Sequence, residues 1–155
     1  MELDPIIESL NKKENISSIT SNNLEDIGLT EAEKALIKTY QPEKILIVYG
    51  TLAPGRSNHK VIAHIKGQWK NSIIKGELVK EGWAAEHGYN AFRHTSKENE
   101  KEIASLVFFS EELKANWQML DEFEGEGYRR ILAKYELEDG KVGVGYIYAI
   151  NEKEW

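Results

Sequence analysis

The chain has 155 residues, a length typical of one domain with a sizeable hydrophobic core. Its 20 Lys and Arg residues against 26 Asp and Glu residues give a net charge of −6, which offers no electrostatic basis for binding nucleic acid or an anionic membrane. Cysteine is absent, and this excludes disulfides, thiolate nucleophiles and thiolate metal sites.

The first 42 residues differ in composition from the remainder, with an acidic excess and a polar middle. We interpret 1–42 as an N-terminal helical extension and 43–155 as the main domain. The chain starts Met1-Glu2-Leu3-Asp4, without the basic leader and apolar core of a signal peptide. No segment approaches the ~20 apolar residues of a membrane span. We therefore expect a cytoplasmic protein with no membrane partner.

Two short helices are predicted in the extension. Asp4-Pro5 is a typical cap and first-turn pair, which predicts a helix over 5–13. Thr30 and Glu33 have the spacing of a capping box in front of a second helix, which Pro42 ends. Both helices are too short to be stable alone. They either pack on the main domain or on a partner, or they form a partly disordered arm.

The next element is an apolar run that stops abruptly in a small loop. Ile45 to Val48 are consecutive aliphatic residues, too few for a helix, which predicts a strand buried on both faces. Gly50 follows where the chain must bend, and its missing Cβ leaves the backbone N–H groups of Thr51 and Leu52 open to a ligand. Unpaired amides at a strand end suit an anion or a polarised carbonyl, although an ordinary strand-to-loop turn gives the same pattern.

Helices and strands alternate along the rest of the chain. Apolar residues at helical spacing indicate the helices, and alternating apolar residues indicate the strands. The pair Asp139-Gly140 predicts a hairpin turn between the last two strands. The predicted elements are, in order, a helix over 58–65, one long or two short strands over 68–79, an ordered loop over 82–92, a strand over 102–109, a helix after Ser110, and strands over 128–137 and 142–150.

An acidic turn ends the last predicted helix, and in it Glu124 directly precedes Gly125. A carboxylate at a helix C-terminus faces the negative end of the helix dipole, and burial adds desolvation, so both raise its pKa toward neutrality. The alternative is that Asp121, Glu122, Glu124 and Glu126 form a solvated acidic cluster. A general base that faces unpaired amides is sufficient for attack at an amide carbonyl when the nucleophile belongs to the substrate.

Histidine placement does not favour a metal site. His59 and His64 are five residues apart, so on a helix they point to different faces. His87 and His94 flank the predicted loop, and they either contact a ligand or are surface loop histidines. The sequence therefore implies neither a metal ion nor another cofactor.

The two motifs together resemble the γ-glutamylcyclotransferase-like family, which includes the AIG2-like proteins and the bacterial YtfP group. The resemblance covers about residues 45–149 and implies a small mixed β-barrel with flanking helices, of the α/β (α+β) class. The residues that carry it are Tyr49-Gly50-Thr51-Leu52 with Gly55 and Asn58, and Leu120-Asp121-Glu122-Phe123-Glu124-Gly125 with Tyr128 and Arg130.

The resemblance also implies an enzyme, a lyase or acyltransferase that acts on a small γ-glutamyl substrate. In that family the substrate's own α-amine attacks its γ-carbonyl and releases 5-oxoproline and an amine or amino acid. Glu124 would be the catalytic acid–base residue, and Arg130 would anchor the acidic turn. The residues implied to bind the γ-glutamyl group are Tyr49, Gly50, Thr51, Leu52 and Tyr128. The alternative function is a non-catalytic module that binds a small carboxylate or amine and uses its N-terminal extension as a partner-binding arm.

Overall fold

The computed structural model describes residues 2–24, 28–50, 52–79 and 91–151, and it contains a six-stranded sheet and three α-helices in them. The strands are β1 (Ile45–Val48), β2 (Gln68–Val79), β3 (Ala91–Arg93), β4 (Lys101–Phe109), β5 (Tyr128–Leu137) and β6 (Val142–Ile150). The α-helices are α1 (Leu3–Asn11), α2 (Glu31–Tyr40) and α3 (Trp117–Glu124), and single 3₁₀ turns occupy Ile16–Ser18, Pro42–Lys44, His59–Val61 and Leu113–Ala115.

Five strands close into a mixed barrel, in the order β1, β4, β2, β5, β6 and back to β1. The neighbours in this ring are antiparallel except β1 and β6, which run parallel. The short β3 pairs with the end of β2 and, in parallel, with β6. Closure leaves the backbone groups of β1 paired on both sides, which allows all four of its residues to be buried. The predicted α+β barrel with flanking helices is confirmed.

Close approach inside the barrel accounts for Gly145 in β6. A Cβ built on Gly145 would lie 2.5 Å from Cγ2 of Ile45, in the neighbouring strand β1. A side chain at this position would therefore push β1 and β6 apart at their parallel contact. Gly145 therefore marks close packing between two strands of the barrel.

The predicted helix over 58–65 is wrong. Only His59–Val61 forms a 3₁₀ turn, and the flanking turns also use i to i+3 hydrogen bonds, such as that from Ile65 N to Ile62 O at 3.0 Å. Ile62 and Ile65 are buried, so their helical spacing reflects core contacts. Asn58 provides no side-chain cap, and the segment is too short to continue before β2 begins.

The N-terminal extension belongs to the same hydrophobic core as the barrel. Several apolar side chains of its described part are almost fully buried, and they include Ile7, Leu10, Ile16, Ile19, Leu36 and Ile37. The predicted capping box of α2 is confirmed, because Thr30 and Glu33 exchange backbone-to-side-chain hydrogen bonds of 3.1 and 2.8 Å. Of the two alternatives for the extension, the described residues show packing on the main domain.

A single side chain of α1 takes the place of a strand neighbour for β5. Asn11 donates from Nδ2 to the carbonyl of Leu132 (2.9 Å) and accepts from the Leu132 N–H at Oδ1 (2.8 Å). Arg129, also in β5, donates in return to the carbonyls of Asn11 (2.8 Å) and Lys13 (2.6 Å) at the end of α1. These bonds satisfy backbone groups of both elements and attach the extension to the barrel.

We expect Asn11→Ala to lower the free energy of unfolding by about 1–2 kcal/mol, because the buried Leu132 N–H loses its acceptor. Asn15→Ala is the matched control, since the exposed Asn15 makes no side-chain capping bond. Urea unfolding of both variants measures the difference. Equal stabilities would show that Asn11 is dispensable.

Candidate active site

The loop after β1 leaves open space in front of its backbone. A Cβ on Gly50 would meet no non-neighbouring atom within 4 Å, and the positive φ that favours glycine occurs at Gly55 (81°) instead. The backbone at Gly50 thus has a conformation open to other residues, and the space in front of it is unfilled. Within the described part of the chain, no group accepts a hydrogen bond from the N–H of Gly50 or Leu52. Thr51 lies outside the described residues.

His59 fixes the position of this loop through a hydrogen bond to its backbone. Its Nδ1 lies 2.9 Å from the carbonyl oxygen of Leu52, so this ring nitrogen donates the hydrogen bond. The imidazole also packs at a tilt against Trp69, with 5.8 Å between ring centroids. Leu52 as a whole residue is buried. Sequence analysis considered His59 only as a metal ligand and missed this contact.

Tyr49 connects the end of β1 to two other strands. Its hydroxyl accepts from the Phe92 N–H (2.9 Å) in β3 and donates to the Tyr148 carbonyl (2.6 Å) in β6. The single hydroxyl proton is thus already used. Burial raises the pKa of Tyr49 far above its ordinary value, so the phenol is neutral. The Tyr49 hydroxyl therefore has no further proton to donate to a ligand.

Glu124 is the last residue of α3, where Gly125 ends the helix with φ 78°. The Glu124 side chain is partly buried at this position. Burial first, and the neighbouring charge of Asp121 second, raise the pKa of Glu124 from 4.5 to about 7. The direction is the one that the sequence predicts. A carboxyl group with this pKa exchanges a proton readily at neutral pH.

The structure brings Glu124, Tyr49 and Tyr148 into one electrostatic neighbourhood. The charge of Glu124 raises the pKa of both Tyr49 and Tyr148, after the larger effect of their burial. Tyr128 also acts on the pKa of Tyr49. The end of β1 therefore lies near the end of α3 and the start of β5, although some seventy residues separate it from them in the chain.

Arg130 anchors the acidic turn, as the sequence predicts. Its Nε and Nη2 donate to the two carboxylate oxygens of Asp121, at 2.8 and 3.1 Å. The guanidinium carbon lies 4.2 Å from the ring centroid of Trp117 and 4.5 Å from that of Tyr146. The Tyr148 hydroxyl donates to the same carboxylate at 2.6 Å. Asp121 is thus held by the Arg130 guanidinium and by the Tyr148 hydroxyl. Composition alone does not reveal these contacts.

Metal coordination finds no support in this neighbourhood. Among residues 2–24, 28–50, 52–79 and 91–151, no three His, Asp or Glu side chains are grouped so that they could hold a metal ion.

In the same part of the chain, no helix has the length and apolar character that crossing a membrane requires.

Comparison with known proteins gives one consistent family. The family model described as gamma-glutamyl cyclotransferase, AIG2-like, matches residues 46–155. The solved structure of YkqA from Bacillus subtilis is similar to this chain, with 27% identity and a TM-score of 0.54. It aligns with 70% of this chain, which in turn spans only 36% of the YkqA chain. A search of curated proteins gives no significant match.

Two further solved structures share the fold at lower identity. An AIG2-like protein from Mus musculus is 21% identical, with a TM-score of 0.54, and the alignment covers 68% of this chain and 76% of that one. A protein from Arabidopsis thaliana is 18% identical, with a TM-score of 0.53, and the alignment covers 72% of this chain and 70% of that one. These two likenesses concern the fold alone.

We expect Glu124→Gln to stabilise the protein at pH 8 by about 2 kcal/mol more than at pH 4.5. A carboxyl whose pKa is raised in the folded state favours folding when protonated, and that contribution is lost as pH rises from 4.5 through about 7. Glutamine stays neutral throughout and avoids the loss. Urea unfolding at the two pH values measures the effect, with exposed Glu122→Gln as the control. The same stability difference at both pH values would contradict the raised pKa.

Proposed function

The chain belongs to the gamma-glutamyl cyclotransferase, AIG2-like family, as its sequence motifs indicate, and we propose that it releases 5-oxoproline from a γ-glutamyl amine or a γ-glutamyl amino acid. In this reaction the substrate α-amine nitrogen bonds to its own γ-carbonyl carbon. The bond from that carbon to the leaving nitrogen then breaks. The substrate rearranges into a ring and an amine, so neither water nor a cofactor is consumed.

The raised pKa of Glu124 is the observation that carries the proposal. The reaction first requires a base to remove a proton from the α-ammonium and then an acid to protonate the leaving nitrogen. A carboxyl with a pKa of about 7 performs both steps at neutral pH, since it exchanges protons without a large energy cost in either direction. An exposed carboxylate with a pKa of 4.5 would be a much weaker base.

The open amides of the loop after β1 supply the second requirement. Attack on the γ-carbonyl places negative charge on its oxygen, and backbone N–H groups that are already oriented stabilise this charge without reorganisation. The N–H groups of Gly50 and Leu52 are suited to this role, or to the substrate carboxylate, because they face no acceptor within the described residues. His59 keeps the loop in place through the Leu52 carbonyl. Thr51 lies between them in the sequence, and its part in binding the substrate remains a prediction.

The tyrosines shape the site rather than perform the proton transfer. The hydroxyl of Tyr49 is occupied by Tyr148 and Phe92, so we assign to Tyr49 a wall of the γ-glutamyl pocket. Tyr128 stands at the start of β5, close enough to act on Tyr49, and we assign to it the closing side of the pocket. Neutral aromatic walls lower the local dielectric and strengthen the contacts of the charged substrate.

We expect Glu124→Gln to lower the rate of 5-oxoproline formation by about 10²–10⁴-fold, the usual cost of removing a general acid–base group. The assay uses a panel of γ-glutamyl amines and γ-glutamyl amino acids, with 5-oxoproline measured by mass spectrometry. Glu122→Gln changes the same charge on the exposed side of α3 and should keep the wild-type rate. Equal rates for wild type and Glu124→Gln on a turned-over substrate would contradict the assignment.

The same panel separates catalysis from the non-catalytic alternative. If the pocket only binds, a γ-glutamyl compound should raise the melting temperature in a saturable manner and be recovered intact after long incubation.

We expect kcat/KM to rise with pH through about pH 7 and to fall close to tenfold per pH unit below it, because Glu124 must be deprotonated to accept the α-ammonium proton. Initial rates between pH 5 and pH 8, at a substrate concentration well below KM, measure the profile. A profile that stays flat between pH 5 and pH 7 would rule out Glu124 as the base.

A further inference from the structure

Arg130 joins the N-terminal extension to the turn that carries Glu124. Its Nη2 donates to the carbonyl oxygen of Ser17 (2.8 Å) as well as to Asp121. The guanidinium is buried, with 5% of its side chain exposed, so its polar contacts are not replaced by water. Ser17 belongs to the 3₁₀ turn Ile16–Ser18. One cation therefore touches the extension and the acidic turn together.

The position of that 3₁₀ turn is fixed by the barrel. Tyr146, which is fully buried in β6, directs its hydroxyl to the carbonyls of Ile16 (2.9 Å) and Ile19 (2.7 Å). Ile16 and Ile19 are themselves buried. The carbonyl of Ser17 is thus held where the guanidinium of Arg130 meets it.

Asp121 stands three residues before Glu124 in α3, so the two side chains share a helix face. Its two carboxylate oxygens are fixed by Arg130 and by the Tyr148 hydroxyl. The other titratable groups that act in this neighbourhood come from the strands and are the phenols of Tyr49 and Tyr148, with Tyr128 beside Tyr49. Burial raises the pKa of Tyr49 and Tyr148 well above neutral pH, so both phenols stay uncharged while Glu124 titrates. The charge that acts on Glu124 within the described chain is that of Asp121.

We propose that Asp121 is a positioning residue for Glu124, and that residues 16–19 of the N-terminal extension keep it in place through Arg130. A fixed carboxylate beside Glu124 disfavours the ionised form of Glu124 and so keeps it able to return a proton. The family match begins at residue 46, so the extension that completes this contact lies outside it. The inference rests on the proposed acid–base role of Glu124, but its test needs no turnover.

The test is a direct titration of Glu124 in the full-length protein. Glutamate labelled with ¹³C at Cδ gives one carboxyl signal per residue, and the signal that disappears in Glu124→Gln identifies residue 124. Its chemical shift is followed from pH 4 to pH 9. A failure of the enzymatic proposal would leave this titration unchanged, whereas a failure of the positioning proposal would show in the titration even if 5-oxoproline is formed.

We expect Asp121→Asn to move the titration midpoint of Glu124 to lower pH by about one pH unit, the effect of removing one unit charge several ångströms away in a partly buried site. Asp121→Glu keeps the charge and should restore most of the midpoint. Glu122→Gln removes a charge from the adjacent, exposed position and should leave the midpoint unchanged. An unchanged midpoint in Asp121→Asn, or an equal fall in Glu122→Gln, would overturn the role of Asp121.

Tyr146→Phe tests the contribution of the extension. It removes the hydroxyl that holds residues 16–19 and should lower the Glu124 midpoint by less than Asp121→Asn does, because Asp121 is then less firmly placed. In the Asp121→Asn background the same change should have no effect on the midpoint. No shift in the otherwise wild-type protein, or an equal shift in both backgrounds, would overturn the link through Arg130.

Asp121→Asn leaves a buried guanidinium without its carboxylate and risks unfolding the protein. The double variant Asp121→Leu, Arg130→Met removes both charges together and avoids that cost. Because the charge acting on Glu124 is that of Asp121, this variant should also lower the midpoint. A folded double variant with the wild-type midpoint would contradict the proposal.

Discussion

A buried guanidinium imposes the strongest constraint on how the parts of this protein meet. Arg130 lies in a strand of the barrel, and a cation at such depth must be paired with charge, hydrogen-bond acceptors or aromatic faces. Its partners come from three places: the Asp121 carboxylate and the Trp117 ring in α3, the Ser17 carbonyl in the extension, and the Tyr146 ring in β6. Satisfying that one group links α3, and with it Glu124, to both the extension and the barrel.

The site combines groups that lie in environments unfavourable to their ordinary state, which is the ionised form for a carboxyl and the hydrogen-bonded form for a backbone amide. Glu124 is a carboxyl in surroundings that favour its neutral form, and the Gly50 and Leu52 amides are donors without acceptors in the described structure. Each arrangement costs folding free energy, and each is useful only when a ligand supplies what is missing. The rest of the barrel compensates with a continuous apolar core to which the extension contributes several of the most deeply buried side chains.

Local sequence patterns predicted the parts of the fold that depend on neighbouring residues. The capping box at Thr30, the buried strand Ile45–Val48 and the hairpin at Asp139-Gly140 are all short-range features. Glu124 and the loop after β1 were paired by the chemistry they could share and by family resemblance, because some seventy residues separate them in the sequence and no local pattern links them. Contacts such as Asn11 with Leu132 have no local signal, since an asparagine that completes a strand edge has the same sequence environment as one on the surface.

The parallel pairing of β1 with β6 has a consequence for how the protein folds. It joins the first and last strands of the barrel, and Tyr146 of β6 reaches back across 130 residues to Ile16. Such contacts give a high contact order, which slows folding because long loops must close before the contacts form. During synthesis on the ribosome, the N-terminal helices emerge long before the strands that cover them. Their apolar faces therefore stay uncovered until β6 has been synthesised. During this interval the nascent chain is most exposed to aggregation.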